Sequence, residues 1–128
     1  MTAERQALEA PGAPAAVGPY SHAVRAGDLL FCSGQIPLDP DTGELVGGDA
    51  AAQARRCLEN LQAVCQAAGT SLARAVRVTV YLTDMAAFAQ VNEVYAGYFD
   101  EQPPARVAIG VGALPRGAQV EVDAVVAL

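Results

Sequence analysis

Arg106 and Glu121 are the two side chains of this 128-residue chain that could do chemistry together. Each lies in a run of alternating residues, which predicts a strand. On the first strand Arg106 shares a face with the small residues Ala108 and Gly110, and on the second Glu121 shares a face with Asp123. Small neighbours beside a long cation leave space. Space beside a fixed charge is what a small anionic ligand needs.

A Pro/Gly-containing segment joins these two strands and predicts a hairpin turn. If residue 111 lies opposite residue 118, Arg106 faces Asp123, and Glu121 lies on the diagonal at roughly 7–8 Å. Arg106 then has two possible roles: a structural salt bridge with Asp123 or Glu121, or a bidentate clamp on the carboxylate of a ligand. The small neighbours favour the clamp, and the residues alone leave both roles open.

Other kinds of catalytic site find little support. The single histidine, His22, lies on a short predicted strand, where we expect a surface or edge residue. No Gly-x-Ser-x-Gly motif is present, and no metal-ligand spacing occurs, so we expect neither a metal nor a cofactor. The three cysteines show no CxxC spacing and are interpreted as small core residues in a reducing compartment. They are Cys32, Cys57 and Cys65.

Composition limits the partners of the chain. The net charge is -6, which argues against nucleic acid because phosphate binding needs clustered Lys and Arg. No apolar run approaches the roughly 20 residues that a membrane span needs, and the N-terminus does not resemble a secretory signal. We therefore expect a cytoplasmic protein of one domain, residues 1–128, in which residues 1–16 form a loose arm or an edge segment.

The order of elements predicts how the candidate side chains are positioned. Two short strands, near 21–25 and 29–32, are followed by a helix capped at Asp49, a strand over 75–83, a helix capped at Asp84, and the two strands that carry Arg106 and Glu121. This β-β-α-β-α-β-β order predicts an α+β fold, a single mixed β-sheet with two helices on one face.

The other face of the predicted sheet is too apolar to be only a solvent face. We expect another copy of the chain to cover it, which predicts self-association. Its expected residues are Thr79, Tyr81, Ala108, Gly110 and Val125.

Several motifs together resemble the Rid (YjgF) family across nearly the whole chain. The first is the run 104–109, Pro-Ala-Arg-Val-Ala-Ile, followed by Leu114 and Val120-Glu121-Val122. The others, in chain order, are Gly18-Pro19-Tyr20-Ser21, the run 32–37, Thr42-Gly43-Glu44, Asn60-Leu61, the run 79–84 and the run 88–92.

The resemblance implies a chorismate-mutase-like fold and a homotrimer with ligand clefts between subunits. It also implies hydrolytic deamination of reactive 2-imino or enamine acids to 2-oxo acids and ammonia, which removes damaging metabolites. The alternative is a non-catalytic module of the same fold that binds small carboxylates or shields proteins. RNA cleavage, sometimes attached to the family, is disfavoured by the net charge.

Residue roles follow from the same resemblance. Arg106 would grip the substrate carboxylate, and Glu121 would position or deprotonate the attacking water. The other substrate-binding positions would be Tyr20, Ser33, Gly34, Asn92 and Ala108. Asn92 is expected on the buried side of the second helix, facing a cleft across the interface. Two departures are Ala108, where many members have cysteine, and His22, where many have glutamine.

Overall fold

The computed structural model describes residues 4–99 and 101–128, and these residues form one six-stranded sheet and two α-helices. Single 3₁₀ turns lie at Leu72–Arg74, Met85–Ala87 and Pro115–Gly117. In chain order the main elements are β1 (Arg5–Leu8), β2 (Ala23–Ala26), β3 (Leu29–Gln35), α1 (Ala50–Ala67), β4 (Ala75–Leu82), α2 (Phe88–Ala96), β5 (Ala105–Gly110) and β6 (Val120–Ala127).

The sheet is mixed, with the strand order β1-β2-β3-β6-β4-β5. β4 and β5 are parallel because α2 connects them, and every other neighbouring pair is antiparallel. Both helices pack on one face, so the predicted α+β sheet with two helices on one face is confirmed. The predicted element order is also confirmed, with one additional strand, β1, before it.

The core lies between this face and the helices. α1 begins where predicted, because the Asp49 carboxylate accepts a hydrogen bond from the Ala52 N–H at 2.9 Å. Its apolar stripe packs against the inward side chains of β6 in one buried cluster. Fully buried members include Leu58, Leu61, Val120 and Val126.

The N-terminal segment is held to the domain rather than loose. β1 pairs with β2 at the edge of the sheet, which matches the edge alternative for this segment. His22 is 4% exposed, so its predicted surface or edge position is wrong. Its ring bridges the segment: Nδ1 accepts from the Ala10 N–H at 2.8 Å, and Nε2 donates to the Pro14 carbonyl at 2.7 Å. The ring can be buried because both of its nitrogens form hydrogen bonds with backbone groups of this segment.

The predicted hairpin of the last two strands is wrong. β5 and β6 exist with the predicted alternation, but β4 lies between them, pairing in parallel with β5 and antiparallel with β6. The connection over residues 111–119 crosses the end of β4. Two backbone hydrogen bonds hold it in this position. The Val111 N–H donates to the Leu82 carbonyl at 2.8 Å, and the Thr83 N–H donates to the Gln119 carbonyl at 3.1 Å. Arg106 and Asp123 are therefore not cross-strand neighbours.

The three cysteines are buried free thiols, which confirms their predicted place in the core. Burial raises the pKa of the Cys57 thiol well above its ordinary value. Among residues 4–99 and 101–128, no helix is long and apolar enough to cross a membrane.

Candidate functional site

Arg106 lies on the helix side of the sheet. It is exposed, and its guanidinium carbon lies 4.8 Å from the ring centroid of Tyr95 and 5.4 Å from that of Phe88. One Nη donates to the Asn92 side-chain oxygen at 2.6 Å. Within the described residues Arg106 has no carboxylate partner, so the structural salt bridge with Asp123 or Glu121, one of the two possible roles, is absent.

A concavity of about 480 Å³ opens beside this guanidinium. We call it the Arg106 concavity. It is lined by Asn92, Tyr95, Ala96, Phe99, Pro103, Pro104 and Arg106. Residues of α2 form one wall, and the two prolines that precede β5 form the other.

Glu121 lies on the opposite face of the sheet. Its neighbours Val120 and Val122 point into the core, so the alternation of β6 turns Glu121 away from the helices. It lines a second concavity of about 300 Å³, which we call the Glu121 concavity. The lining residues are Val17, Tyr20, Ser33, Gly34, Ile36, Pro115 and Glu121.

A β-bulge shapes the floor of the Glu121 concavity. The register between β3 and β6 shifts between Cys32 and Gln35, which puts Ser33 and Gly34 at the irregularity. The Ser33 hydroxyl donates to the Ser21 carbonyl at 2.6 Å, which ties β3 to the segment that carries Tyr20. Because residue 34 has no side chain, the Glu121 carboxylate can occupy the space that a Cβ at this position would need.

The electrostatics of this face favour a protonatable Glu121. Burial raises the pKa of the Glu121 carboxyl above its ordinary value, and the negative charge of Asp123 raises it further. Asp123 accepts a hydrogen bond from the Tyr81 hydroxyl at 2.8 Å, and that bond raises the pKa of Tyr81. Within the described residues no cation pairs with Glu121. Its carboxylate could therefore accept a proton from a bound water.

The predicted site residues thus form two groups. Tyr20, Ser33, Gly34 and Glu121 share the Glu121 concavity. Arg106 and Asn92 share the Arg106 concavity, on the other side of the sheet. Asn92 is exposed, so its predicted position on the buried side of the second helix is wrong. The helix turns it outward beside Arg106, one residue after the buried Val91.

Ala108 follows Arg106 on the same side of β5 and packs, partly buried, against the core cluster. The residues on the open face therefore differ in part from those that the sequence predicted. Thr79, Tyr81 and Val125 lie on it, whereas Ala108 and Gly110 lie on the helix side, where a Cβ at residue 110 would approach the Met85 side chain to 3.0 Å.

Phe88, Tyr95 and Asp123 acquire contacts that sequence reasoning did not assign. The helical spacing of Phe88 and Tyr95 suits core positions, and it carries no signal for a cation against their rings. From the sequence alone, Asp123 is a possible salt-bridge partner of Arg106. Its contact with Tyr81 depends on the pairing of β4 with β6, which the sequence did not predict.

Comparison with known proteins places this fold among solved chorismate-mutase-like structures. RidA from the Antarctic bacterium Psychrobacter superposes with a TM-score of 0.92 at 45% identity, covering 96% of this chain and 99% of that one. The match to such structures extends over nearly the whole chain, so it defines the fold class.

Sequence relatives define the family. Residues 10–128 match the family described as Endoribonuclease L-PSP. The RutC family protein y4sK of Sinorhizobium fredii is 55% identical over 116 residues, 91% of this chain and 92% of that one. The 2-iminobutanoate/2-iminopropanoate deaminase of Mus musculus is 45% identical over 121 residues, 94% of this chain and 90% of that one. The chain belongs to the YjgF/RutC/Rid family.

Proposed function

We propose that the protein hydrolyses reactive 2-imino acids to 2-oxo acids and ammonia, and thereby removes damaging intermediates. The observation that carries the proposal is the half-buried Glu121 carboxylate, which lines a concavity against Gly34 without a described cation partner. The activity named for the mouse relative supports the same reaction class.

The reaction needs few groups. A protonated imine is already electrophilic, so water can attack its carbon without a metal. Glu121 would take a proton from that water as it attacks, as general-base catalysis requires. Glu121 then returns the proton to the amine of the resulting carbinolamine, and as the hydroxyl gives up its proton the C–N bond breaks, which releases ammonia and leaves a 2-oxo acid. Arg106 would hold the substrate carboxylate, and fixing that end orients the imine carbon toward the water.

One chain does not bring these two groups into one concavity, and this separation supports a shared site. We propose a homotrimer in which the Arg106 concavity of one copy meets the Glu121 concavity of its neighbour. Exposed apolar side chains on the open face of the sheet, Phe31, Val107 and Ile109, support burial of that face by another copy. Tyr20 and Ser33 would then line the cleft from the Glu121 side.

A coupled assay with threonine dehydratase tests the proposed activity. The dehydratase releases 2-aminocrotonate, which tautomerises to 2-iminobutanoate, and the pure protein should accelerate the appearance of 2-oxobutanoate. Arg106→Ala should remove the acceleration because the carboxylate loses its clamp. No acceleration by pure wild-type protein with threonine or serine dehydratase would contradict the proposal for those substrates.

The alternative is a binding module without turnover. It predicts saturable binding of a 2-oxo acid that is lost in Arg106→Ala, with no gain in the coupled assay. RNA cleavage is disfavoured because the net charge is -6 and the two concavities hold only one cation, Arg106, among their lining residues.

A further inference from the structure

The groups that contact the Arg106 guanidinium are two aromatic rings and an amide, all of them uncharged. The ring faces of Tyr95 and Phe88 both lie within the roughly 6 Å over which a ring attracts a guanidinium. The third contact is an amide oxygen, that of Asn92, at 2.6 Å. A guanidinium has five N–H donors, and this is its one hydrogen bond to a described residue.

The Tyr95 ring is itself rigidly held. It is 6% exposed and packs on Phe99 with ring centroids 4.7 Å apart and an interplanar angle of 43°. Its hydroxyl is buried and has no hydrogen-bond partner among the described residues. The ring, not the hydroxyl, therefore makes the contact with Arg106.

We infer that Tyr95, Phe88 and Asn92 form a neutral seat that fixes the Arg106 guanidinium while leaving its charge free for the carboxylate of a substrate. Tyr95 and Phe88 are thus positioning residues for that carboxylate, in addition to their place in the core. A carboxylate in the seat would compete with the substrate, whereas ring faces and an amide do not. The inference rests on the proposed function only in naming the anion as a 2-imino or 2-oxo acid.

Asn92→Asp separates a neutral seat from a merely structural contact. The substitution places a carboxylate against Arg106 with little change of shape. We expect Tm to be kept or raised, and affinity for 2-oxobutanoate, measured by calorimetry, to fall about tenfold, the ratio that a loss of 1.4 kcal/mol produces. Equal affinity of wild type and Asn92→Asp, or no binding of 2-oxobutanoate by wild type, would overturn the inference.

The rings are tested by Tyr95→Leu and, since that site is buried, also by the half-buried Phe88→Leu. Each should raise KM in the coupled assay by roughly two- to fivefold with little change in kcat, since a contact of this kind is worth that ratio. Tyr95→Phe should recover the wild-type KM because it keeps the ring. Tyr98→Leu is the matched control, an aromatic-to-leucine change just beyond the C-terminal end of α2 and outside the seat.

An NMR readout is independent of turnover. The Nε–H resonance of Arg106 should show an upfield ring-current shift in wild type that is reduced in Tyr95→Leu and Phe88→Leu. If both variants match Tyr98→Leu in this shift and in KM while wild type still deaminates, the seat is wrong and the function stands. If wild type does not deaminate but the shift and the binding pattern hold, the function is wrong and the seat stands.

Discussion

Glu121 is the side chain whose ionisation decides when the proposed site can work. A general base must be deprotonated, and burial raises the pKa of this carboxyl, with a further contribution from Asp123. Activity should therefore rise with pH through a pKa above the ordinary value for glutamate, which is about 4.3. The same shift means that the ionised carboxylate destabilises the fold, so its unfavourable contribution appears as pH rises through this range.

Asp123→Asn tests this electrostatic coupling. Removing one negative charge lowers the pKa of Glu121, so the acidic limb of the kcat/KM profile should move to lower pH. An asparagine oxygen can still accept from the Tyr81 hydroxyl, which preserves the local contact. Asp41→Asn, in the exposed turn before α1, is the control with the same change of charge. An acidic limb that stays in place, or that moves equally in both variants, would contradict the coupling.

Residue types and alternation were sufficient to single out Arg106 and Glu121, and to say which neighbours share a strand face with each. They placed the Arg106 face of its strand on the open side of the sheet, whereas it lies on the helix side. They did not say which strand is the neighbour of which. Residues 111–119 contain one proline and two glycines, which suit a hairpin turn, and the same segment is long enough to cross one strand at the spacing of about 4.8 Å between strands. The pairing of β5 with β4 depends on the packing of α2, which periodicity does not encode.

At the scale of elements, the bulge of β3 sets the position of Glu121. Gly34→Ala should keep the fold, since the added methyl meets the mobile end of a side chain, but it should displace the carboxylate. We expect activity to fall by roughly 10²-fold, the lower end of what a general base contributes. Gly47→Ala is the control because a Cβ there meets nothing within 4 Å.

A double-mutant cycle identifies the cause of that loss. If Gly34→Ala acts only by displacing Glu121, it should cost little more in a Glu121→Gln background. The measurement is kcat/KM for the two single variants and the double variant. Additive losses would mean that the methyl acts elsewhere, for example on Tyr20 or on the substrate itself.

Local signals predicted the helices better than the edges of the sheet. Asp49 and Gly69 bracket α1 as a capping aspartate and a glycine with a φ of +82°, and both are visible in sequence. β1 is only four residues long, carries a charge, and pairs on one side. It forms where His22 and β2 hold the segment in place, and those contacts are tertiary.

At the scale of the whole molecule, the open face of the sheet predicts association. Ile109 is 47% exposed there, beside the exposed Val107. Ile109→Glu should convert a trimer into monomers at micromolar concentration and abolish activity, because a charge would be buried between copies. Gel filtration with sedimentation velocity measures this, with Gln66→Glu on the exposed side of α1 as control. A wild-type monomer, or an Ile109→Glu trimer with full activity, would contradict the shared site.

Mixing two inactive variants tests the central claim most directly. Arg106→Ala keeps Glu121, Glu121→Gln keeps Arg106, and each alone should retain only a small residual rate in the dehydratase-coupled assay. If the two side chains meet across an interface, trimers refolded from a 1:1 mixture should recover about one quarter of the wild-type rate, since random association gives one cleft in four both intact groups. If the mixture stays as inactive as its components, the two groups do not act across the interface and the account is wrong.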